Sequence, residues 1–187
     1  DELEEVLERI EREIRRVSER SEELSRRNEK IIREVEEESR RILEEIKREI
    51  DEVKKRAERV DKDTLRRIVE TVVRRAKELV DRSKKITTKV VEELKRSMEE
   101  SRKISEEVAR RAKKLVDELR DRLRSEEAKK LVREVEETVR KLVEELREMN
   151  KRHEDKNREL SDRLREIDKR LEDEVRKLVE ELRKKVE

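Results

Sequence analysis

Apolar residues return along this chain in alternating steps of four and three. In the first third they read Leu3, Leu7, Ile10, Ile14, Val17, Leu24, Ile31, Val35, Ile42, Ile46, Ile50, Val53, Ala57 and Val60, with Ser21, Asn28 and Ser39 filling gaps in the series. This is the seam of an amphipathic helix, one stripe wet on neither side when it meets other helices. Sixteen steps cover the 57 residues from Leu3 to Val60, a mean period of about 3.56. That value lies between a supercoiled seam and a straight helix, so it predicts nearly straight, gently coiled rods.

The phase breaks twice. Between Val60 and Leu65 the gap is five residues, across Asp-Lys-Asp-Thr at 61–64, where Asp61 or Asp63 can accept the free amide protons of a new helix. A second gap of five runs from Leu123 to Ala128. Ser125 suits its N-cap, with Glu126 and Glu127 at the positive end of the helix dipole. The breaks predict three helices, at about 2–60, 64–123 and 126–186. Each would be roughly 90 Å long at ~1.5 Å per residue. Short connections make neighbours antiparallel, so the expected fold is all-α: a single-domain up–down–up three-helix bundle over 1–187.

Composition narrows the class. Of the 187 residues 60% are charged and 30% hydrophobic, and Gly, Pro, Cys, Phe, Tyr, Trp and Gln are all missing. At ordinary usage, losing Gly and Pro together over this length is about a one-in-ten-billion event. High charge with scattered apolar residues would mean disorder, but here the apolar residues keep helical spacing and the net charge is only +2. With 57 basic residues against 55 acidic ones and no basic run, the balance argues against nucleic acid or an anionic membrane as partner. No stretch approaches the ~20 apolar residues of a membrane span and no signal peptide heads the chain, so a soluble protein without a targeting address is expected. Glu-to-Arg pairs four apart, such as Glu5 with Arg9 and Glu36 with Arg40, belong to solvated outer faces and contribute a few tenths of a kcal/mol each.

Chemistry is confined to polar residues on the stripe. In Arg-Glu-Met-Asn-Lys-Arg-His-Glu-Asp-Lys-Asn, residues 147–157, helical spacing places Asn150, His153 and Asn157 where apolar side chains belong; His153 is the sole histidine. Folding helix 1 on helix 2 about residue 62, and helix 2 on helix 3 about residue 125, brings polar positions to common heights. His153 comes level with Ser97 and Asn28, and Asn150 with Ser101 and Ser25. Asn157 and Ser161 approach Thr87, Thr88 and Ser39, and Ser18 and Ser21 lie opposite Ser105. These are predicted to be buried hydrogen-bonded layers that fix the helix register. Each such position forgoes roughly 1.5–3 kcal/mol available to Leu or Val, and an unpaired group there costs ~1–3 kcal/mol more. Polar layers offset that loss by making a heptad slide costly.

The equal helices, the Glu/Arg/Lys surface, the Gly-free turns and the aligned Asn28, Ser97 and His153 resemble de novo designed helical bundles with buried hydrogen-bond networks. The resemblance covers the whole chain and is one of style. It implies a structural scaffold with no natural substrate, although many such designs are helical hairpins that oligomerise. A metal at His153 would find one good ligand and two poor ones in Asn150 and Asn157, with no cysteine and no second histidine. No nucleophile–base pair accompanies His153. The expectation is therefore no enzyme, no cofactor and no metal. No partner is required; the alternative is a helical interaction module, self-associating or paired with a designed helical chain through flanking residues such as Ile32, Val73, Val80 and Val143.

Overall fold

A computed structural model of the chain describes residues 2–186. It contains three helices, α1 (Glu2–Arg56), α2 (Lys62–Arg122) and α3 (Glu126–Val186). They form an antiparallel up–down–up three-helix bundle. Each helix carries charge suited to its dipole, with Glu2, Glu4 and Glu5 opening α1 and Lys54, Lys55 and Arg56 closing it.

The helix ends show how far periodicity reports helicity. α1 stops at Arg56, four residues short of the predicted 60, and 57–60 turn away from the helix. Ala57 and Val60 nonetheless pack against the core of this end of the fold. The apolar spacing there marks burial, and the chain satisfies it from a turn. α2 begins two residues earlier than predicted, at Lys62, and its first helical bond runs from the Leu65 amide to the Asp61 carbonyl at 3.0 Å. Asp61 therefore holds the N-cap position. At the second turn Ser125 caps α3 as its sequence position predicts: Ser125 Oγ accepts from the Ala128 amide at 3.1 Å, and its carbonyl accepts from Lys129 at 2.9 Å.

The chain divides into two compact units, and every helix contributes to both. One unit comprises Asp1–Asn28 and Leu94–Arg158. Its core is built from Leu3 and Ile10 of α1, Ala112, Val116 and Leu119 of α2, and Val132, Val135 and Val139 of α3. A smaller cluster of Val17, Val108 and Leu146 adjoins the polar residues described below. Antiparallel pairing is visible in the ion pairs of this unit: Glu2 meets Arg122, Glu13 meets Arg111 and Arg20 meets Glu100. On the other side of α2, Arg120 meets Glu136 and Arg102 meets Glu154.

The second unit comprises Glu29–Glu93 and Glu159–Glu187. Ile42, Ile46, Ile50 and Val53 of α1 meet Leu65, Val69, Val73 and Ala76 of α2, with Leu171, Val175 and Leu182 of α3. Arg75 bridges to Glu45 and Glu49, and Lys84 to Glu172. These ion pairs are substantially solvated, so each contributes well under about 1 kcal/mol and serves orientation more than stability. One seam assignment changes: Ile32, not Ile31, is fully buried. After Asn28 the stripe takes a step of four where three was predicted, which is how a nearly straight helix absorbs the difference between 3.5 and 3.6 residues per turn.

Candidate functional site: a polar cluster contributed by all three helices

Within the first unit the apolar stripes of all three helices are interrupted at one height. Asn28 of α1, Ser97 of α2 and Asn157 of α3 are all buried there. The Asn28 amide nitrogen Nδ2 donates to Ser97 Oγ and to Asn157 Oδ1, both at 3.3 Å. A side-chain amide carries two hydrogens, so a single group on α1 ties down both other helices. Both bonds are slightly longer than the usual range, which makes them individually weak.

Around this triad lies a small polar chamber. Ser21 and Ser25 of α1, Ser101 of α2, and Asn150 and His153 of α3 line it. Ser21 and Ser101 are buried; Ser25, Asn150 and His153 are half-buried. Asn150, Ser101 and Ser25 share this lining. Burial lowers the His153 pKa from its ordinary 6.5, the nearby Arg152 charge lowers it further, and Glu22 opposes both. His153 is held towards its neutral form.

Two predicted pairings are corrected. Asn28 meets Asn157 and not His153, an offset of four residues or about one helical turn. Reflection about residue 125 pairs His153 with Ser97 only when the helices have no axial stagger, and the bundle has one. The layer predicted to join Asn157, Ser161, Thr87, Thr88 and Ser39 does not form as such. Asn157 belongs to the triad, while Thr88 is exposed and returns its hydroxyl to the Lys84 carbonyl of its own helix. Ser39 and Ser161 are half-buried, Ser39 on the wall of a surface groove between α1 and α3. Ser105 is buried, but its Oγ finds no partner among the described residues, and neither does Asn150 Oδ1.

The second unit has its own polar cluster, in which Ser83 and Asp168 join the expected Thr87. Asp168 of α3 is half-buried, and its Oδ1 accepts from Thr87 Oγ1 at 3.0 Å and Ser83 Oγ at 3.3 Å. Burial raises the Asp168 pKa above its ordinary 3.8, and Glu172 adds to the rise. The Thr87 and Ser83 hydroxyls and the Lys84 charge pull the other way. The signal was available: Asp168 sits four after Leu164 and three before Leu171, and Ser83 lies between Val80 and Thr87.

Chemically, the first cluster is a set of neutral donors and acceptors around one half-buried imidazole. Among the described residues, no three His, Cys, Asp or Glu side chains converge as a metal centre requires, and no helix is long and apolar enough to cross a membrane. No protein-family model matches the chain, and neither does any curated protein. A solved structure described as a computationally designed three-helix bundle is similar over 99% of this chain and 92% of its own, with a TM-score of 0.70 and 22% sequence identity. That likeness shows the shared fold, and with it the chain resembles designed helical bundles in architecture as well as in sequence style.

Proposed function

We propose that the chain is an engineered structural scaffold, a single domain that acts as one chain without enzymatic activity, and that its buried polar clusters specify the register of its helices. The observation that carries this reading is the Asn28–Ser97–Asn157 triad, one residue from each helix joined by the two hydrogens of one amide. The designed neighbour and the restricted amino-acid alphabet support the engineered origin.

The energetic logic is a comparison of registers. In the native one, both amide hydrogens of Asn28 are used. Sliding α1 by a heptad so that Val35 takes the place of Asn28 moves it about 10.5 Å and sets an apolar residue against Ser97 and Asn157. Two acceptors and an amide are then left to be buried without partners, at ~1–3 kcal/mol apiece. The aliphatic layers above and below barely distinguish the two states, because Val and Leu layers interchange at small cost. The triad supplies the difference.

The test replaces the triad by apolar residues of similar size, Asn28→Leu with Ser97→Ala and Asn157→Leu, and records backbone amide spectra. The reading expects one set of resonances from the parent and several from the variant, as neighbouring registers become comparable in energy. A single unshifted set from the variant away from the substituted sites refutes the register role. Mass in solution tests the single-chain assignment: 23.0 kDa supports it, a multiple refutes it.

A further inference from the structure

The chain has two methionines, one histidine and no cysteine, and both methionines lie beside the histidine. Met98 of α2 lines the small chamber together with His153. Met149 shares with His153 a second space, a groove of about 420 Å³ between α1 and α3. Met149 and His153 stand four residues apart on α3, positions whose Cβ atoms lie roughly 5–6 Å from each other on one helix face. Both side chains are half-buried, and Met149 is seated against the Val17, Val108 and Leu146 cluster. The imidazole has no hydrogen-bond partner among the described residues, so the layer expected to hold it does not account for its place on the stripe.

The pair is a donor set at neutral pH. His153 is held towards its neutral form, which leaves a ring nitrogen with a free lone pair. A thioether carries no proton to displace. Glu22 and Glu145 line the same groove against the single guanidinium of Arg152, so the surroundings favour a positive guest.

We infer that Met149 and His153 together bind one soft monovalent cation, Cu(I) or Ag(I), through the thioether sulfur and one imidazole nitrogen. The donors choose the ion: thioether sulfur selects soft metals, and these closed-shell monovalent ions accept a near-linear pair of ligands. Zinc asks for three or four donors, and no three His, Cys, Asp or Glu side chains converge among the described residues. Met98 lines the chamber and not the groove, whereas Met149 lines the groove and not the chamber. The groove has room for an ion to enter, so Met149 is the sulfur ligand and Met98 an internal control. The inference stands apart from the register reading, because the triad can fix the register whether or not the ion binds.

Titration of the intact protein with silver nitrate in chloride-free neutral buffer, followed by proton–carbon magnetic resonance, tests it. The spectrum holds just two methionine methyl signals and one imidazole. The Met149 methyl and the His153 ring are expected to shift together and saturate at one silver per chain, while the Met98 methyl stays nearly unmoved. Met149→Leu, a swap of similar volume, and His153→Asn should each weaken silver binding by roughly a hundredfold, since each leaves one donor where two acted at high effective concentration. Silver binding to Met149→Leu as tight as to the parent overturns the inference. So do equal shifts of both methyl signals, or shifts that never saturate. Should either variant fail to fold, the parent titration decides: a His153 ring that moves without the Met149 methyl, or the reverse, overturns the site.

Discussion

Truncating Asn28 to alanine should destabilise the protein far more than removing the whole polar triad. In Asn28→Ala two hydrogen bonds are lost, and Ser97 Oγ and Asn157 Oδ1 stay behind in buried positions. At 3.3 Å those bonds contribute near the bottom of the range for a net hydrogen bond, about 0.5 kcal/mol each. The orphaned acceptors dominate, at ~1–3 kcal/mol apiece. Ser97 can recover part of its cost by turning its hydroxyl to the carbonyl one helical turn back. Alanine also returns roughly half a kcal/mol in helix propensity. The net loss is about 2–4 kcal/mol. In the triple variant Asn28→Leu, Ser97→Ala, Asn157→Leu, nothing is orphaned. Two leucines gain about 3–6 kcal/mol of burial, against ~1 for the lost bonds and ~1–3 for imperfect packing. That variant should lie between about 1 kcal/mol less stable and about 4 kcal/mol more stable than the parent. Guanidinium unfolding followed by helical circular dichroism, with both variants beside the parent, reads the two values. If the triple variant loses as much stability as Asn28→Ala, the cost lies in shape and not in unpaired polar groups, and the reasoning fails.

Three further outcomes follow from the same geometry. Asp168→Asn keeps an acceptor for Thr87 and Ser83 without the buried charge. The raised pKa of Asp168 means its favourable contribution is full below its unfolded value near 3.8 and lost as pH rises through the folded one. The variant should therefore be the more stable protein at pH 7, with the advantage shrinking on acidification, as denaturant midpoints across pH 3–7 would show; a pH-independent difference contradicts this. His153 has the opposite sign: its lowered pKa gives stability that is present above 6.5 and lost as pH falls through the folded value. His153→Asn should lose less stability than the parent between pH 7.5 and 5.5, and a ring titration by nuclear magnetic resonance should find the parent midpoint below 6.5. Ser125→Ala removes the α3 cap and should cost about 1 kcal/mol in thermal or denaturant unfolding, while Ser125→Asp should cost little.

The fold was legible because burial and helicity share one period over most of the chain, and they part company where a turn supplies the burial. Ala57 and Val60 continue the stripe without continuing the helix, so the end of α1 was drawn too late. The phase breaks, by contrast, coincide with capping side chains, and Ser125 was readable as an N-cap because its neighbours Glu126 and Glu127 also suit a first turn. The site was legible to within one turn. Reflecting the chain about its connections pairs Asn28 with Ser97 but not with Asn157, because axial stagger between helices leaves no trace in a single sequence. Asp168 escaped because a charged residue looks like surface in a chain that is 60% charged, even when its spacing from Leu164 and Leu171 places it on the seam.

The register claim is tested most directly by distances between spin labels on α1 and α3 in the first unit. The chain has no cysteine, so Arg26→Cys with Arg158→Cys labels two exposed positions beside the triad without further substitution. The account predicts one narrow distance distribution in the parent. It predicts a second population in the apolar triple variant, displaced by up to about 10 Å, the length of one heptad. An identical single distribution in both proteins would contradict it and assign the register to the aliphatic layers alone.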